Sequence, residues 1–230
     1  MNSPRPKRLY LARRHPGLSR EAFKVQWRAH GLLAMHFMAR QQWENVMRYA
    51  HCDALAPDAA GGFDGVGMVW FRDLAARRRH LQFAEARAAL KADEDRVFAE
   101  HPDRSGLVCD EHVLLDAGTA RIGLIRVLSR RSDLASEGFV RDWREEQERA
   151  LIGSIGPDLL RYVQNTPLPP ENGISWGLEC DLIDELWFAD VDALHAAMRR
   201  SPAVVALHDD DRFDHAPTLI VVEQVLLHPR

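Results

Sequence analysis

The sequence has little cysteine, little lysine and no long apolar run, and each shortage closes off a class of protein. Its three cysteines, Cys52, Cys109 and Cys180, are odd in number and far apart, so they frame neither a disulfide scaffold nor a zinc site. Reduced thiols and a cytoplasmic location are expected. No stretch approaches the ~18–20 apolar residues of a membrane span, and the opening residues through Arg14 lack a secretory apolar core. Lys7, Lys24 and Lys91 are the only lysines among 30 basic residues, and the formal net charge is −4. That balance argues against nucleic acid as the main partner, and no membrane partner is expected. The one basic cluster, Arg77-Arg78-Arg79-His80, reads as a solvated helix face. Gly-rich phosphate loops and a Gly-x-Ser-x-Gly elbow are also missing. Asp93-Glu94-Asp95 and Asp209-Asp210-Asp211 lack the spacing of a calcium loop. Cys52 follows His51, but neighbours along a strand point to opposite faces, which argues against a Cys–His dyad.

What is present is self-similarity. Phe23-x-x-x-Trp27-Arg28 returns as Phe139-x-x-x-Trp143-Arg144, and Arg48-Tyr49 as Arg161-Tyr162. Trp70-Phe71-x-Asp73 returns as Trp187-Phe188-x-Asp190, Asp95-Arg96 as Asp211-Arg212, and Glu111-x-Val113-Leu114-Leu115 as Glu223-x-Val225-Leu226-Leu227. The order is kept and the offsets stay between 112 and 117, which predicts two similar units, 1–117 and 118–230.

Each unit reads as βαββαβ. In the first, Arg8 to Arg14 is a strand, and Ser19 caps a helix that carries Phe23, Trp27, His30, Ala34 and Phe37 at helical spacing. Val46–Cys52 and Val66–Phe71 are strands, Asp73 caps a second helix through about Leu90, a short helical piece follows at Asp93–Phe98, and Leu107–Leu115 closes the unit. The second unit has strands at Ile122–Leu128, Leu160–Asn165, Leu178–Phe188 and Thr218–Leu227, with a helix over about Glu137–Ile152 and a loop at Thr166–Gly173. This is the ferredoxin-like split βαβ, an α+β fold. Two such sheets can bury their bare faces against each other, giving an intramolecular α/β barrel with helices outside. One chain then suffices for the fold, and it could pair further as a homodimer.

The differences between units are informative. His30 aligns with Glu146, His51 with Gln164 and His112 with Gln224, so three histidines belong to the first unit alone. His30 shares the helix face of Phe23 and Trp27, and Tyr49 and His51 share a strand face.

The stretch Gly17-Leu18-Ser19-Arg20-Glu21-x-Phe23-x-x-x-Trp27-x-x-His30 resembles the opening of the EthD family of the dimeric α/β-barrel superfamily. So do Arg48-Tyr49, Phe63-Asp64-Gly65-Val66 running into Trp70-Phe71, and Ala92-Asp93-Glu94. The second unit departs from the pattern, lacking the His and the Asp-Gly pair. The resemblance implies the barrel fold and a role in small-molecule catabolism, as accessory protein or as dehydratase- or decarboxylase-like lyase, without fixing a reaction. The leading expectation is a lyase or isomerase needing no cofactor, acting on a hydrophobic, aromatic or cyclic oxygenated molecule in catabolism or polyketide-like metabolism. His30 would shuttle the proton, with Tyr49, His51 and Asp64 orienting a substrate oxygen, and Trp27, Phe37, Met68, Trp70 and His112 forming the wall of a pocket between helix and sheet. Two alternatives stand beside it. One is a non-catalytic protein binding a hydrophobic metabolite for a partner enzyme; the other is a metal or heme site built on the three histidines.

Overall fold

The structure is a computed structural model that describes residues 5–41, 43–57, 61–170, 175–204, 210–213 and 217–228. Asp209 of the second acidic triplet and the end of the Thr166–Gly173 loop lie outside the described residues. In chain order the elements are β1 (Pro6–Ala12), α1 (Arg20–Arg40), β2 (Val46–Ala54), β3 (Gly65–Phe71), α2 (Leu74–Leu81), α3 (Ala84–Val97), β4 (Gly106–Asp116), β5 (Ile122–Leu128), α4 (Ser136–Ile155), β6 (Arg161–Pro167), β7 (Leu182–Phe188), α5 (Val191–Arg200) and β8 (Thr218–His228).

Local chemistry explains the helix starts. The Ser19 hydroxyl accepts the Ala22 N–H at 3.1 Å and Glu21 sits in the first turn of α1, where carboxylate and cap oxygen satisfy free N–H groups. Asp73 and Asp190 cap α2 and α5 in the same way, accepting from Ala76 and Ala193. α1 buries Phe23, Trp27, His30, Gly31, Ala34, Phe37 and Met38, one face at three- and four-residue spacing. The single helix expected from Asp73 to Leu90 is instead two. The chain breaks at Gln82–Phe83, where Phe83 leaves the helical region (ψ 89°) and sets its ring edge-on to Phe37, 5.9 Å between centroids.

All eight strands form one closed antiparallel barrel in the order β1-β3-β2-β8-β5-β7-β6-β4. The strands of residues 6–116 make the run β4-β1-β3-β2 and those of 122–228 the run β8-β5-β7-β6. The runs do more than face each other. β2 hydrogen-bonds to β8, and β4 to β6, so no strand of the barrel keeps an open edge, with its unpaired N–H and C=O groups. Alternate residues fill the bore, among them Leu9, Leu11, Cys52, Val66, Met68, Leu107, Ile125, Ile183 and Val222. The other face packs under the helices in separate clusters.

Pairing register corrects one alignment. Leu9 lies opposite Leu107 and Ile125 opposite Ile220, so counting along β4 and β8 sets Glu111 with Gln224 and His112 with Val225. The apolar runs around both positions look alike when slid by one residue, whereas a one-residue slip in a strand turns every side chain to the other face. Among the described residues no helix is long and apolar enough to cross a membrane.

Candidate active site

Beneath the helices of residues 20–97 lies a cavity of about 1020 Å³. Its floor is the outer face of β4-β1-β3-β2, its walls are α1, α2 and α3, and Ser175, Trp176 and Gly177 ahead of β7 reach across to it. Ala34, Met38, Val69, Phe71, Leu81 and Leu90 make much of the lining apolar. A mostly apolar concavity with a few converging polar groups suits a small hydrophobic ligand.

The first polar group is His30. It is 5% exposed, and its Nδ1 lies 2.9 Å from Asp93 Oδ2. Asp93 is held in turn by Arg96. The two hydrogen bonds outweigh the effect of burial and keep the Asp93 carboxyl below its ordinary range, so it is a carboxylate. It therefore takes the Nδ1 proton of a neutral ring and leaves Nε2 as the basic nitrogen, with no protein partner among the described residues. Burial lowers the His30 pKa, against the opposing pull of Asp93, so the ring is neutral at pH 7.

The second is Tyr10, which lines the cavity together with Tyr49, the end of a chain of hydrogen bonds. Arg28, itself paired to Asp53, points a guanidinium N–H at His51 Nδ1 (2.9 Å). Arginine only donates, so Nδ1 accepts and Nε2 carries the ring proton. That nitrogen lies 2.8 Å from the Tyr49 hydroxyl, which therefore accepts. Burial raises the pKa of both Tyr49 and Tyr10, which keeps both hydroxyls protonated. The Tyr10 oxygen receives Trp27 Nε1–H at 3.3 Å. With the indole N–H arriving at its oxygen, Tyr10 keeps its own proton to donate into the cavity that its side chain lines. His51 is fully buried and stacked on Trp27 at 4.1 Å; burial first, then Arg28, holds its pKa far below the usual range. It is a neutral relay and cannot act as a base in the cavity.

The geometry needs a bare backbone at one point. Tyr10 pairs with Gly67, and a Cβ there would lie 2.0 Å from the Tyr10 ring. Gly67→Ala is expected to displace Tyr10 and cost ~1–3 kcal/mol of stability, read as a lowered urea midpoint.

The second run of strands carries the same chain with a different end. Arg144 bonds Gln164, Gln164 bonds the Tyr162 hydroxyl at 2.7 Å, and Tyr162 and Trp143 both donate to Asp184. Arg126 and Asp184 pair across the strands where Tyr10 and Gly67 do in the first run. They form a fully buried ion pair. Where the first run sets the Tyr10 hydroxyl over a cavity, the second has a salt bridge.

The residues expected to form the site are thus spread out. His30 and Tyr49 line the cavity, and His51 stands behind Tyr49. Trp27 is buried behind Tyr10, and Phe37 seals α1 against Phe83. Met68 and Trp70 point into the bore, because β3 turns Gly67, Val69 and Phe71 outward. Asp64 accepts the Arg14 backbone N–H at 2.9 Å and pairs with the Arg14 side chain, pinning the exit of β1. His112 lies 3.3 Å from Asp110 and near Arg144, on the α4 side. His30, His51 and His112 therefore do not meet, and among the described residues no group of three or more His, Cys, Asp or Glu could hold a metal ion. Sequence reasoning misses Tyr10, Asp93, His80, Arg77 and Trp176 as site residues. Arg77 and His80 face the cavity one turn apart, while Arg78 and Arg79 are the solvated ones. Burial, with repulsion from Arg8 and Arg77, lowers the His80 pKa to about 4.

Barrel and cavity define the class, an α+β protein whose closed eight-stranded barrel carries a helix-covered, largely apolar cavity. Residues 15–102, which span α1 to α3, match the EthD domain family. Solved structures share the fold over nearly the full length. A proposed monooxygenase from Fusobacterium nucleatum subsp. nucleatum is 9% identical with a TM-score of 0.63, covering 99% of this chain and 94% of its own. A mutant chlorite dismutase from Candidatus Nitrospira defluvii is 11% identical (TM-score 0.55, 97% and 93% covered). An anthrone oxidase-like protein is 12% identical (TM-score 0.54, 100% and 94%). At these identities the likeness is one of fold. No curated protein matches the chain.

Proposed function

We propose that the protein is an enzyme that moves a proton on a hydrophobic, cyclic, oxygenated small molecule, as a lyase or isomerase working without a cofactor. One observation carries the reading: a neutral His30 oriented by the Asp93 carboxylate and a Tyr10 hydroxyl with a spare proton open onto the same apolar cavity. His30 Nε2 takes a proton from the carbon next to a substrate carbonyl, and Asp93 stabilises the imidazolium that forms. The Tyr10 O–H donates to the carbonyl oxygen as it gains charge, a donor fixed beforehand by Trp27. Returning the proton to another carbon completes an isomerisation. Giving it to a departing β-hydroxyl, which leaves as water, completes a dehydration. The EthD domain and the enzyme names borne by the fold relatives support an enzyme acting on small molecules. We read the barrel as two ferredoxin-like βαββαβ units, 1–117 and 118–230, the first bearing the chemistry and the second completing the barrel and lending Trp176 to the cavity.

Two results test the roles. Tyr10→Phe keeps the ring and removes the donor, so turnover should fall ~10²–10³-fold while substrate still binds. The rate should also lose its base as pH falls. Because burial depresses the His30 pKa below its ordinary 6.5, kcat/KM should stay level down through that value and drop only below it. A rate that drops already above pH 7 would assign the base elsewhere. Binding without turnover across substrates of this class would favour the non-catalytic role.

A further inference from the structure

The bore of the barrel holds a second set of charges, remote from the helix-side cavity. Lys7 is fully buried and pairs with Glu185 and, at 3.3 Å, with Glu111. Glu185 also receives Asn165 Nδ2 at 2.7 Å and Trp187 Nε1 at 3.0 Å. Glu111 receives Trp70 Nε1 at 2.9 Å and faces Arg161 at 3.6 Å. A third cation joins from β2: the Arg48 guanidinium stacks over the Trp70 ring at 4.6 Å, and Lys7 Nζ lies 4.5 Å from the same ring. Arg48 stands across from Trp70 and Arg161 across from Trp187, so each run of strands supplies one arginine to the same end of the bore.

The charges do not balance. Among the described residues Lys7, Arg48 and Arg161 oppose only Glu111 and Glu185, and buried charge is costly unless paired. Among the described residues Arg48 has no hydrogen-bond or ion-pair partner. Arg161 Nε is buried without one. Burial first, then the neighbouring Arg161, depresses the Arg48 pKa against the pull of Glu185 and Glu111. Both arginines are half-buried, so this end of the bore is open to solvent.

We infer that this end of the barrel is an anion site in which Arg48 and Arg161 hold one carboxylate, over a floor made by the rings of Trp70 and Trp187. A single negative charge cancels the surplus cation, which a phosphate dianion would overshoot. The planar guanidinium fork matches a carboxylate in two parallel hydrogen bonds, and the indole rings accept a short apolar body beside it.

The Trp70 and Trp187 indole N–H groups report on the site. Sodium acetate, and separately sodium phosphate, would be titrated into the whole protein at constant ionic strength set with chloride, following the indole N–H resonances. Acetate is expected to shift those of Trp70 and Trp187 saturably. Arg48→Gln and Arg161→Gln should each weaken the binding at least tenfold, and Arg48→Lys, which keeps the charge without the fork, should weaken it less. His30→Ala should leave it unchanged, because the cavity of the proposed reaction is elsewhere. A linear, unsaturable drift, equal binding by Arg48→Gln, or loss on His30→Ala would overturn the site. Saturation by phosphate and not acetate would overturn the carboxylate.

Discussion

Replacing His30 with alanine is expected to lower turnover by ~10²–10⁴-fold, the usual contribution of a general acid–base group, with secondary structure intact. The His30 imidazole is a cavity base that burial keeps neutral and a carboxylate orients. Asp93→Asn should give a smaller loss with its own signature. Asp93 raises the His30 pKa against burial, so without its charge the acid limb of the rate profile should move to still lower pH. A merely structural Asp93 would leave that limb in place. A His30→Ala variant within threefold of the wild-type rate would end the assignment of His30.

The largest loss of stability is expected in the bore. Lys7→Met leaves Glu111 and Glu185 facing each other with their shared cation gone, and breaking a buried ion pair from one side costs ~3–5 kcal/mol. Burial alone would lower the Lys7 pKa, but the two glutamates outweigh it and raise it, so the ammonium is charged throughout the working range. Denaturation by urea should show the deficit at pH 7. It should shrink as pH falls and the stranded carboxyls take up protons. Adding Glu185→Met should recover much of the loss, since Met68 fills the matching place on β3. A deficit below ~1 kcal/mol would mean that water or another cation reaches the bore, because exposed pairs are worth only that much.

Much of the fold was legible because it rests on local periodicity. Alternation along β1 and the spacing of Phe23, Trp27, His30 and Ala34 on α1 are set by side-chain direction alone. The cavity's wall was harder. The face of β3 depends on register: Met68 and Trp70 look like pocket residues in sequence and turn to the bore only because Gly67 and Val69 face the helices. The break at Phe83 depends on a ring finding Phe37 across space, which no helix signal encodes. Tyr10 was hidden for a similar reason. It reads as a strand tyrosine, and its meaning appears only with Gly67 opposite and with Arg126 and Asp184 in the matching places. That exchange of a tyrosine and a glycine for a salt bridge was the available signal, since it alters the chemistry where the flanking Trp27 and Tyr49 are kept as Trp143 and Tyr162.

The most direct test of the account is deuterium wash-in, which works on any ketone that enters the cavity, whatever the physiological substrate. Cyclic aryl ketones such as 1-tetralone, incubated with the protein in heavy water, would be followed by proton NMR at the carbon beside the carbonyl. The account predicts exchange there well above the buffer rate with the wild type, strongly reduced by Tyr10→Phe and abolished by His30→Ala. Ketones that bind in the cavity yet exchange no faster than in buffer alone would contradict it and leave the protein a carrier.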